Sequence, residues 1–280
     1  MKPLTILIPS DFTEVSELAF QMAENIAKKI NVKIHVLHVV EAGEDIISEN
    51  PEASEGIDLQ AFLEKEKLAF DQLQELQSRH KDYEVHLKIG LLTNEIRRCT
   101  DELKTDLVII GTHGRDGWME KLSGSEAQHV ARYLQVPVIS IRPGTPVLPL
   151  KNILLVADFE MFGKGVQINM IKQLAKAFDS TIHLLQILKE VDEPYTDVIQ
   201  AQMKFFAEEH QFTKFETHLQ RDKKVTHGVK NFNQEHEMDL VCIRTHGRKG
   251  ISHFLFGSIA ERLVNHCLKP LLTFHLKTNA

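Results

Sequence analysis

Two patterns of hydrophobic and polar positions alternate along the chain. Residues 4–8 form a short apolar run, LTILI, and apolar side chains then recur every three or four positions between Val15 and Ile30. A run of the first kind predicts a buried strand, and the second spacing predicts an amphipathic helix. Because the same succession repeats to the end of the chain, we predict an α/β fold with a mostly parallel sheet and helices on both faces.

The first half of the chain contains five predicted strands and the helices that connect them. Thr13 is the expected N-cap of the first helix, and Glu14 and Glu17 lie in its first turn, where the helix dipole favours acids. The later strands are predicted at residues 32–40, 83–89, 106–110 and 137–141, and the later helices near residues 59–80, 93–104 and 125–134.

The second half repeats the first. The segment ILIPSDF at 6–12 aligns with ILLVADF at 153–159, and KIHVLHV at 33–39 aligns with TIHLLQI at 181–187. We therefore predict two tandem domains, at 1–143 and 151–280, each with a five-stranded, mostly parallel sheet, joined by a proline-rich linker at 144–150. The offset of about 147 falls to 133 further on, so the second copy is expected to be shorter after its second strand.

The last strands of the two halves, at 137–141 and 270–274, are apolar in character. Apolar strands of this kind suit pairing better than exposure at the edge of a sheet. We therefore expect the halves to pack through them about a pseudo-twofold axis, as an intramolecular pseudo-dimer. Whether two chains then associate as a homodimer is left open.

The composition is that of an ordinary globular protein, with 42% hydrophobic and 26% charged residues in a chain of 280. A formal net charge of -6 argues against binding to nucleic acid, which normally needs a basic surface. The three cysteines are scattered, no leader is evident, and no apolar segment approaches the ~20 residues of a membrane span. We expect a cytoplasmic protein whose partners are small ligands and other proteins.

A glycine-rich loop occurs once in each half, as GTHGRDGWMEKLSGS at 111–125 and as RTHGRKGISHFLFGS at 244–258. Ligands of open parallel sheets bind beyond the carboxyl ends of the strands, where the predicted fourth strand leads into the loop. Glycines allow close backbone approach, and the N-terminus of the following helix attracts anions. The loop therefore predicts a phosphate site, and a strand-to-helix turn that needs glycine for its backbone angles is the alternative.

The spacing of the glycines carries a family resemblance. Glycine, nine residues and Gly-Ser recur in both loops, and the first loop has another glycine three positions earlier. With DFT after the first strand and VPVISIRP closing the first half, the chain resembles the tandem universal stress proteins of the UspA superfamily over residues 3–143 and 151–277. The resemblance implies two tandem Rossmann-like domains of the HUP type, and a site for ATP or another adenine nucleotide, usually with a divalent metal, here Mg²⁺.

The site residues are carried over position by position. In such proteins the acid after strand one contacts the base or ribose, the residues ending strand two flank the adenine, and the glycine loop with its serine holds the phosphates. The corresponding positions in the first half are Asp11, Val39, Gly111, Gly114, Arg115, Gly124 and Ser125. In the second half they are Asp158, Ile187, Arg244, Gly247, Arg248, Gly257 and Ser258. The carboxylate of Asp11 can accept from ribose hydroxyls or an exocyclic amine, and capping the following helix is its alternative role.

The two predicted sites differ. Arg244 replaces the first glycine of the motif. The arginine prevents close approach of a ligand to the backbone but adds a guanidinium group that can bind phosphate oxygens in a bidentate manner. In the first half, Glu126 follows the loop serine in the opening helical turn, where a carboxylate can satisfy the helix dipole. Residues 41–58 hold seven acids and no base, and they form either a lid over the first site or a solvated loop. We expect unequal sites, with the first favoured.

Four further histidines lie in or beside the predicted strands of the first half. His35 with His38, or His80 with His86, would need additional ligands to make a metal site. We therefore expect strand or surface histidines at these positions and predict no metal site from them.

The loop histidines His113 and His246 have no carboxylate partner by local spacing, and neither loop has a Walker lysine or an evident general base. A dedicated enzyme is therefore not expected. The function that we expect is that of a cytoplasmic stress-response protein that binds ATP as a regulatory ligand. The alternatives are a scaffold protein that binds no nucleotide and a weak ATPase.

Overall fold

The computed structural model describes residues 2–41, 59–112, 134–159, 168–189, 194–245, 263 and 267–275. They contain ten strands and six helices. In chain order the elements are β1 (Leu4–Pro9), α1 (Glu14–Ala27), β2 (Val32–Glu41), α2 (Leu59–Arg79), β3 (Tyr83–Gly90), α3 (Leu92–Leu103), β4 (Leu107–Gly111), β5 (Val138–Ile141), β6 (Asn152–Val156), α4 (Asn169–Phe178), β7 (Thr181–Leu188), α5 (Thr196–Glu209), β8 (Phe215–Arg221), α6 (Val225–Glu235), β9 (Leu240–Thr245) and β10 (Leu271–His275).

All ten strands belong to one sheet, in the order β3-β2-β1-β4-β5-β10-β9-β6-β7-β8. Every neighbouring pair is parallel except β5 with β10, which is antiparallel and places Leu272 opposite Ile139. The strand order of the first half thus recurs in reverse across this central pair. The predicted α/β fold is confirmed, and so is the pairing of the two last strands.

Alternate residues of the central strands enter opposite layers of the core. In β1, Ile6 and Ile8 lie in a large apolar cluster on one face of the sheet, whereas Leu7 lies in a smaller cluster on the other. The large cluster joins the two halves and includes both Ile139 and Leu272, while the opposite face has one cluster in each half. Burial on both faces explains why the strands appear in the sequence as nearly continuous apolar runs.

The predicted helices near residues 59–80 and 93–104 are observed as α2 and α3. The second copy is shorter between its second and third strands, where α5 has 14 residues and α2 has 21. The helix predicted at 125–134 lies outside the described residues except for Leu134, and the acidic segment lies outside them except for Glu41.

The segment predicted as a linker contains no helix or strand, but it packs against the first half. Asn25 Nδ2 on α1 donates a hydrogen bond to Leu148 O (2.8 Å), and Leu150 is fully buried. The domain boundaries drawn through this segment remain a prediction.

Candidate functional site

The candidate site lies where the chain leaves the carboxyl ends of β1, β2 and β4. These strands lie in the order β2-β1-β4, and the sheet grows away from β1 in both directions, through β2 and β3 on one side and through β4 and β5 on the other. Ligands of open parallel sheets bind at such a reversal of strand order. The predicted site residues that reach this edge are Asp11, Val39 and Gly111, and those at the matching edge of β6, β7 and β9 are Asp158, Ile187 and Arg244.

The backbone of β2 extends beyond that of β1, and the region beside this overhang is called the crevice. Pairing between the two strands ends with Pro9 opposite Leu37 and a bond from Ser10 N–H to Leu37 O (2.9 Å). Pairing of β2 with β3 continues to Glu41, which lies opposite Gly90. The last residues of β2 therefore turn one backbone edge toward the crevice, where peptide N–H and C=O groups can bind the polar edge of a planar heterocycle.

Asp11 organises the turn between β1 and α1. Its Oδ1 accepts hydrogen bonds from Thr13 N–H (3.1 Å), Thr13 Oγ1 (2.6 Å) and Ser16 Oγ (2.6 Å). Thr13 occupies the predicted N-cap position, but its hydroxyl bonds to Asp11 and makes no side-chain cap bond. Asp11 thus takes on a structural role at this helix start, and all its described side-chain bonds fall on one oxygen.

His38 and Phe12 line the same turn. The two rings stack at a centroid distance of 4.8 Å, and His38 Nδ1–H donates to Ser10 O (2.8 Å). Burial lowers the pKa of His38, and this effect outweighs the opposing influence of the Ser10 carbonyl and Asp11. The ring is therefore neutral at pH 7, and its Nε2 is a hydrogen-bond acceptor. Phe12 has a φ of 61°, in the left-handed region, which is uncommon outside glycine.

Gly111 is required by the packing of the protein itself. A Cβ at this position would lie 2.6 Å from the carbonyl oxygen of Val15 and 2.7 Å from its carbonyl carbon. Both are backbone atoms in the first turn of α1, so they cannot rotate away as a side chain does. The first glycine of the motif therefore allows β4 to end against the start of α1, in addition to any role toward a ligand.

The second half builds the equivalent turn with different side chains. Gln186 stands where His38 does, and its Oε1 accepts from Phe159 N–H (2.9 Å). Phe159 is 4% exposed and meets Phe206 edge to face inside the core, whereas Phe12 is only partly buried. The aromatic side chain after strand one thus belongs to the core in the second half and borders the crevice in the first.

Arg244 occupies the position of Gly111 in the second half and is half-buried, opposite Phe274 of β10. Burial lowers the pKa of its guanidinium, although an arginine remains protonated at neutral pH. The structure thus places a charged, partly desolvated group where the first half has a bare backbone. The residues equivalent to the first turn of α1, near 161–164, lie outside the described part of the chain.

The residues predicted to flank the adenine, at the ends of the second strands, have side chains that belong to the core. Val39 is 3% exposed and Ile187 is 9% exposed. Ile187 contacts α6, because a Cβ at Gly228 would lie 2.7 Å from its Cδ1. What Val39 and Ile187 present at the edge of the sheet is therefore their backbone. The phosphate-binding positions predicted in the loops, Gly114, Arg115, Gly124, Ser125, Gly247, Arg248, Gly257 and Ser258, lie outside the described residues.

The model of the universal stress protein family matches this chain twice, at residues 4–142 and 149–275. The chain belongs to the universal stress protein family. Its two matches correspond to the two halves of the sheet, so this universal stress protein carries the family domain in tandem, as the motifs predict.

Named relatives align with about half of this universal stress protein. Universal stress protein MJ0531 of Methanocaldococcus jannaschii is 27% identical over 139 residues, which are 49% of this chain and 81% of that protein. Universal stress protein G of Escherichia coli O157:H7 is 30% identical over 147 residues, which are 49% of this chain and 98% of that protein. These lengths are those expected for single-domain relatives of a tandem protein.

The fold of the whole chain is also found among solved structures. A universal stress protein from Archaeoglobus fulgidus matches 99% of this chain and 97% of its own with a TM-score of 0.73, at 17% sequence identity. The tandem arrangement within one chain is therefore shared with that structure. Among the described helices, none combines the length and the apolar character needed to cross a membrane.

Three side chains beside the crevice were not predicted from the sequence. His38 was assigned to a strand or the surface, and the contributions of Phe12 and Ser16 to the turn were not anticipated. The internal repeat could have indicated the role of His38. This residue aligns with Gln186, and both side chains can form a hydrogen bond to the backbone of the turn after the first strand of their half.

Proposed function

We propose that this universal stress protein binds an adenine nucleotide, ATP with Mg²⁺, in the crevice of the first half. The bound nucleotide then acts as a regulatory ligand that alters contacts with a protein partner during a cytoplasmic stress response. The observation that carries the proposal is the backbone edge of β2 beyond Leu37, which lies beside the Asp11 turn at the reversal of strand order.

The described groups of this crevice suit a nucleoside. The second carboxylate oxygen of Asp11 is left for ribose hydroxyls, because its described side-chain bonds use Oδ1. The open edge of β2 offers the backbone donors and acceptors that an adenine ring requires. His38 Nε2 adds an acceptor, and the partly buried ring of Phe12 adds an apolar surface.

The phosphates are assigned to the glycine loop by its motif. Gly114, Gly124 and Ser125 supply backbone N–H groups and a hydroxyl at the start of a predicted helix, an arrangement that favours anions. Mg²⁺ is proposed as the ion that balances the phosphate charge, because it binds oxygen ligands and retains waters.

We propose binding rather than catalysis as the role of this site. Asp11 Oδ1 and His38 Nδ1 are held in the turn by hydrogen bonds, and Asp11 Oδ2 and His38 Nε2 are assigned to the nucleoside as acceptors. The glycine-loop motif supplies no evident general base, a group that must lie within hydrogen-bond reach of the proton that it removes.

The second half is proposed as the weaker nucleotide site. Arg244 places a side chain where the first half has none, and Phe159 is packed into the core instead of bordering the crevice. If the second half binds no nucleotide, it would serve as a scaffold for the first half. The scaffold alternative derived from the sequence would then apply to the second half alone.

A comparison of two matched variants tests the proposal. Valine at a glycine beside the phosphates blocks their approach, so Gly124→Val is expected to abolish the thermal stabilisation by millimolar ATP and Mg²⁺, and Gly257→Val to retain it. The natural chain is also expected to release an adenine nucleotide when it is denatured. Absence of both nucleotide release and a thermal shift would establish the scaffold alternative, and loss of ATP during incubation would indicate an ATPase.

A further inference from the structure

Each half of the sheet carries the same cluster of metal-ligating side chains on its outermost pair of strands. One histidine comes from the second strand of the half, and a glutamate and a second histidine, two residues apart, come from the third. The clusters are His35, Glu84 and His86 in the first half and His183, Glu216 and His218 in the second. In each cluster the ligand atoms all lie within 4.8 Å of one another.

The cluster of the second half has the dimensions of a zinc site. His183 Nδ1 lies 3.1 Å from His218 Nε2, and Glu216 Oε2 lies 3.6 Å from each of these nitrogens. The point equidistant from three atoms at these separations is about 2.0 Å from each, which is the usual length of Zn–N and Zn–O bonds. The three ligand atoms are therefore spaced for bonds to one ion.

Asn152 fixes the tautomer of His183 that a metal needs. The Nε2–H of His183 donates to Asn152 Oδ1 (3.3 Å), so the lone pair of the ring lies on Nδ1, toward the cluster. Histidines that bind metals are usually held in this way by a hydrogen bond from their other ring nitrogen. In the metal-free protein, His218 Nε2–H donates to His183 Nδ1, and an ion would replace that hydrogen bond.

The protonation state and the exposure of the cluster also suit an ion. Burial lowers the pKa of both His183 and His218, so both rings are neutral at pH 7, and neutral imidazole is the form that binds metal. The side chain of His183 is 8% exposed and that of Glu216 is 59% exposed. An ion can thus enter past the glutamate and reach a buried imidazole.

We propose that His183, Glu216 and His218 form a binding site for a divalent transition-metal ion, with Zn²⁺ as the expected occupant. Two imidazoles and a carboxylate favour Zn²⁺ over Mg²⁺ or Ca²⁺, which prefer oxygen ligands. The site joins the edge strand β8 to β7. It stands apart from the nucleotide proposal, because His183 precedes Ile187 by four residues of strand, or about 13 Å.

The first-half cluster is the weaker counterpart, for two reasons that the structure shows. Lys33 Nζ lies 2.8 Å from Glu84 Oε1, so a positive charge already occupies the carboxylate, whereas the equivalent residue of the second half is Thr181. The position of Asn152 is taken by Thr5, and the buried Nε2 of His35 has no partner among the described residues. The first cluster thus has a competing cation and lacks the orienting amide.

Metal titration of the full chain tests the proposal. Zn²⁺ is added to metal-free, untagged protein in the presence of excess Mg²⁺, in competition with a chromophoric chelator, and one tight site per chain is expected. His218→Gln is expected to lower the Zn²⁺ affinity of that site by more than about 100-fold, since removal of a ligand should exceed the effect of changing its supporting residues. The matched variant His86→Gln is expected to leave the site unchanged.

An exchange between the halves tests the reason for their difference. Thr5→Asn combined with Lys33→Thr gives the first cluster the surroundings of the second, and a second Zn²⁺ per chain is expected. Asn152→Thr is expected to weaken the natural site about 10-fold, the lower range for an orienting residue. Far-ultraviolet circular dichroism of every variant establishes that it is folded.

Two results would overturn the proposal. Failure of the folded natural chain to bind Zn²⁺ more tightly than the chelator would show that the cluster is a hydrogen-bonded histidine pair. Tight binding that survives His218→Gln would place the ion elsewhere. A visible spectrum of the Co²⁺ form that changes with His218→Gln and not with His86→Gln would support the assignment by a second readout.

Discussion

Replacing Gly111 by alanine probes the contact that joins β4 to α1. The added methyl carbon would lie 2.6 Å from Val15 O and 2.7 Å from Val15 C. Non-bonded carbons make their best contact at about 3.5–4.0 Å, so either the strand end or the helix must move by about 0.8 Å. Because both atoms that it meets belong to the backbone, a change of rotamer cannot relieve the overlap.

Two opposing effects set the size of the change in stability. Overpacking of this kind lowers the free energy of unfolding by about 1–3 kcal/mol. Replacing glycine also reduces the conformational freedom of the unfolded chain, which raises the free energy of unfolding by about 0.4–1 kcal/mol. Gly111 is outside the left-handed region, so alanine adds no backbone strain there. We therefore expect Gly111→Ala to lower the free energy of unfolding by about 1–2 kcal/mol, and to weaken ATP binding because α1 carries the Asp11 turn.

Urea unfolding and ATP titration of Gly111→Ala should be compared with the same measurements on Gly144→Ala. Gly144 has a φ of 72° and open space around its missing Cβ, so alanine there costs about 1–2 kcal/mol through backbone strain alone. The two variants should be similarly destabilised, and only Gly111→Ala should lose ATP affinity. A Gly111→Ala protein as stable as the natural chain would refute the packing argument. If Gly111→Ala and Gly144→Ala bind ATP equally well, the position of α1 at Gly111 does not affect nucleotide binding.

Three further predictions concern charge, proton uptake and the junction of the halves. Asp11→Asn keeps one oxygen acceptor but removes the charge, so ATP affinity should fall about 10-fold in a titration, whereas Asp158→Asn should leave it unchanged. Burial lowers the pKa of His35 and His183 in the folded protein, so at a given acidic pH these histidines bind protons more readily in the unfolded chain. The free energy of unfolding should therefore fall as the pH drops below about 6.5, by at most about 1.4 kcal/mol per pH unit for each histidine. A urea midpoint that does not fall in acid would contradict this. Leu272→Ala removes a fully buried side chain at the central strand pair and should lower the free energy of unfolding, measured in urea on the full chain, by about 2–5 kcal/mol. A decrease well below that range would show that the junction between the halves is loosely packed.

The architecture was predictable because the strands are buried on both faces. Residues 4–8 and 106–110 are apolar at almost every position, and helical spacing separates such runs, which leaves few alternatives to a parallel sheet. The pairing of β5 with β10 was also predictable, since two apolar last strands would otherwise be exposed as edges. The hydrogen bond from Asn25 to Leu148 O and the burial of Leu150 were not, because the three prolines around these residues indicate only the absence of regular structure.

The position of the candidate site stays a prediction, and the contacts around it were only partly predictable. The glycine motif at the carboxyl end of a predicted strand indicates the edge of the sheet where a ligand is proposed to bind, whereas the stacking of His38 on Phe12 depends on the left-handed conformation of Phe12. The histidine clusters were missed because the candidate pairs were sought along the sequence. His35 meets His86 across two strands, and the repeated Glu-x-His of β3 and β8 was the available signal.

The stoichiometry of ATP binding tests the central claim most directly. Isothermal titration of the full chain with ATP in the presence of Mg²⁺ should give one site per chain, and that site should persist in Asp158→Asn and Gly257→Val and disappear in Gly124→Val. No heat of binding at millimolar ATP, two equal sites, or a single site lost in Gly257→Val would contradict the assignment of the nucleotide to the first half.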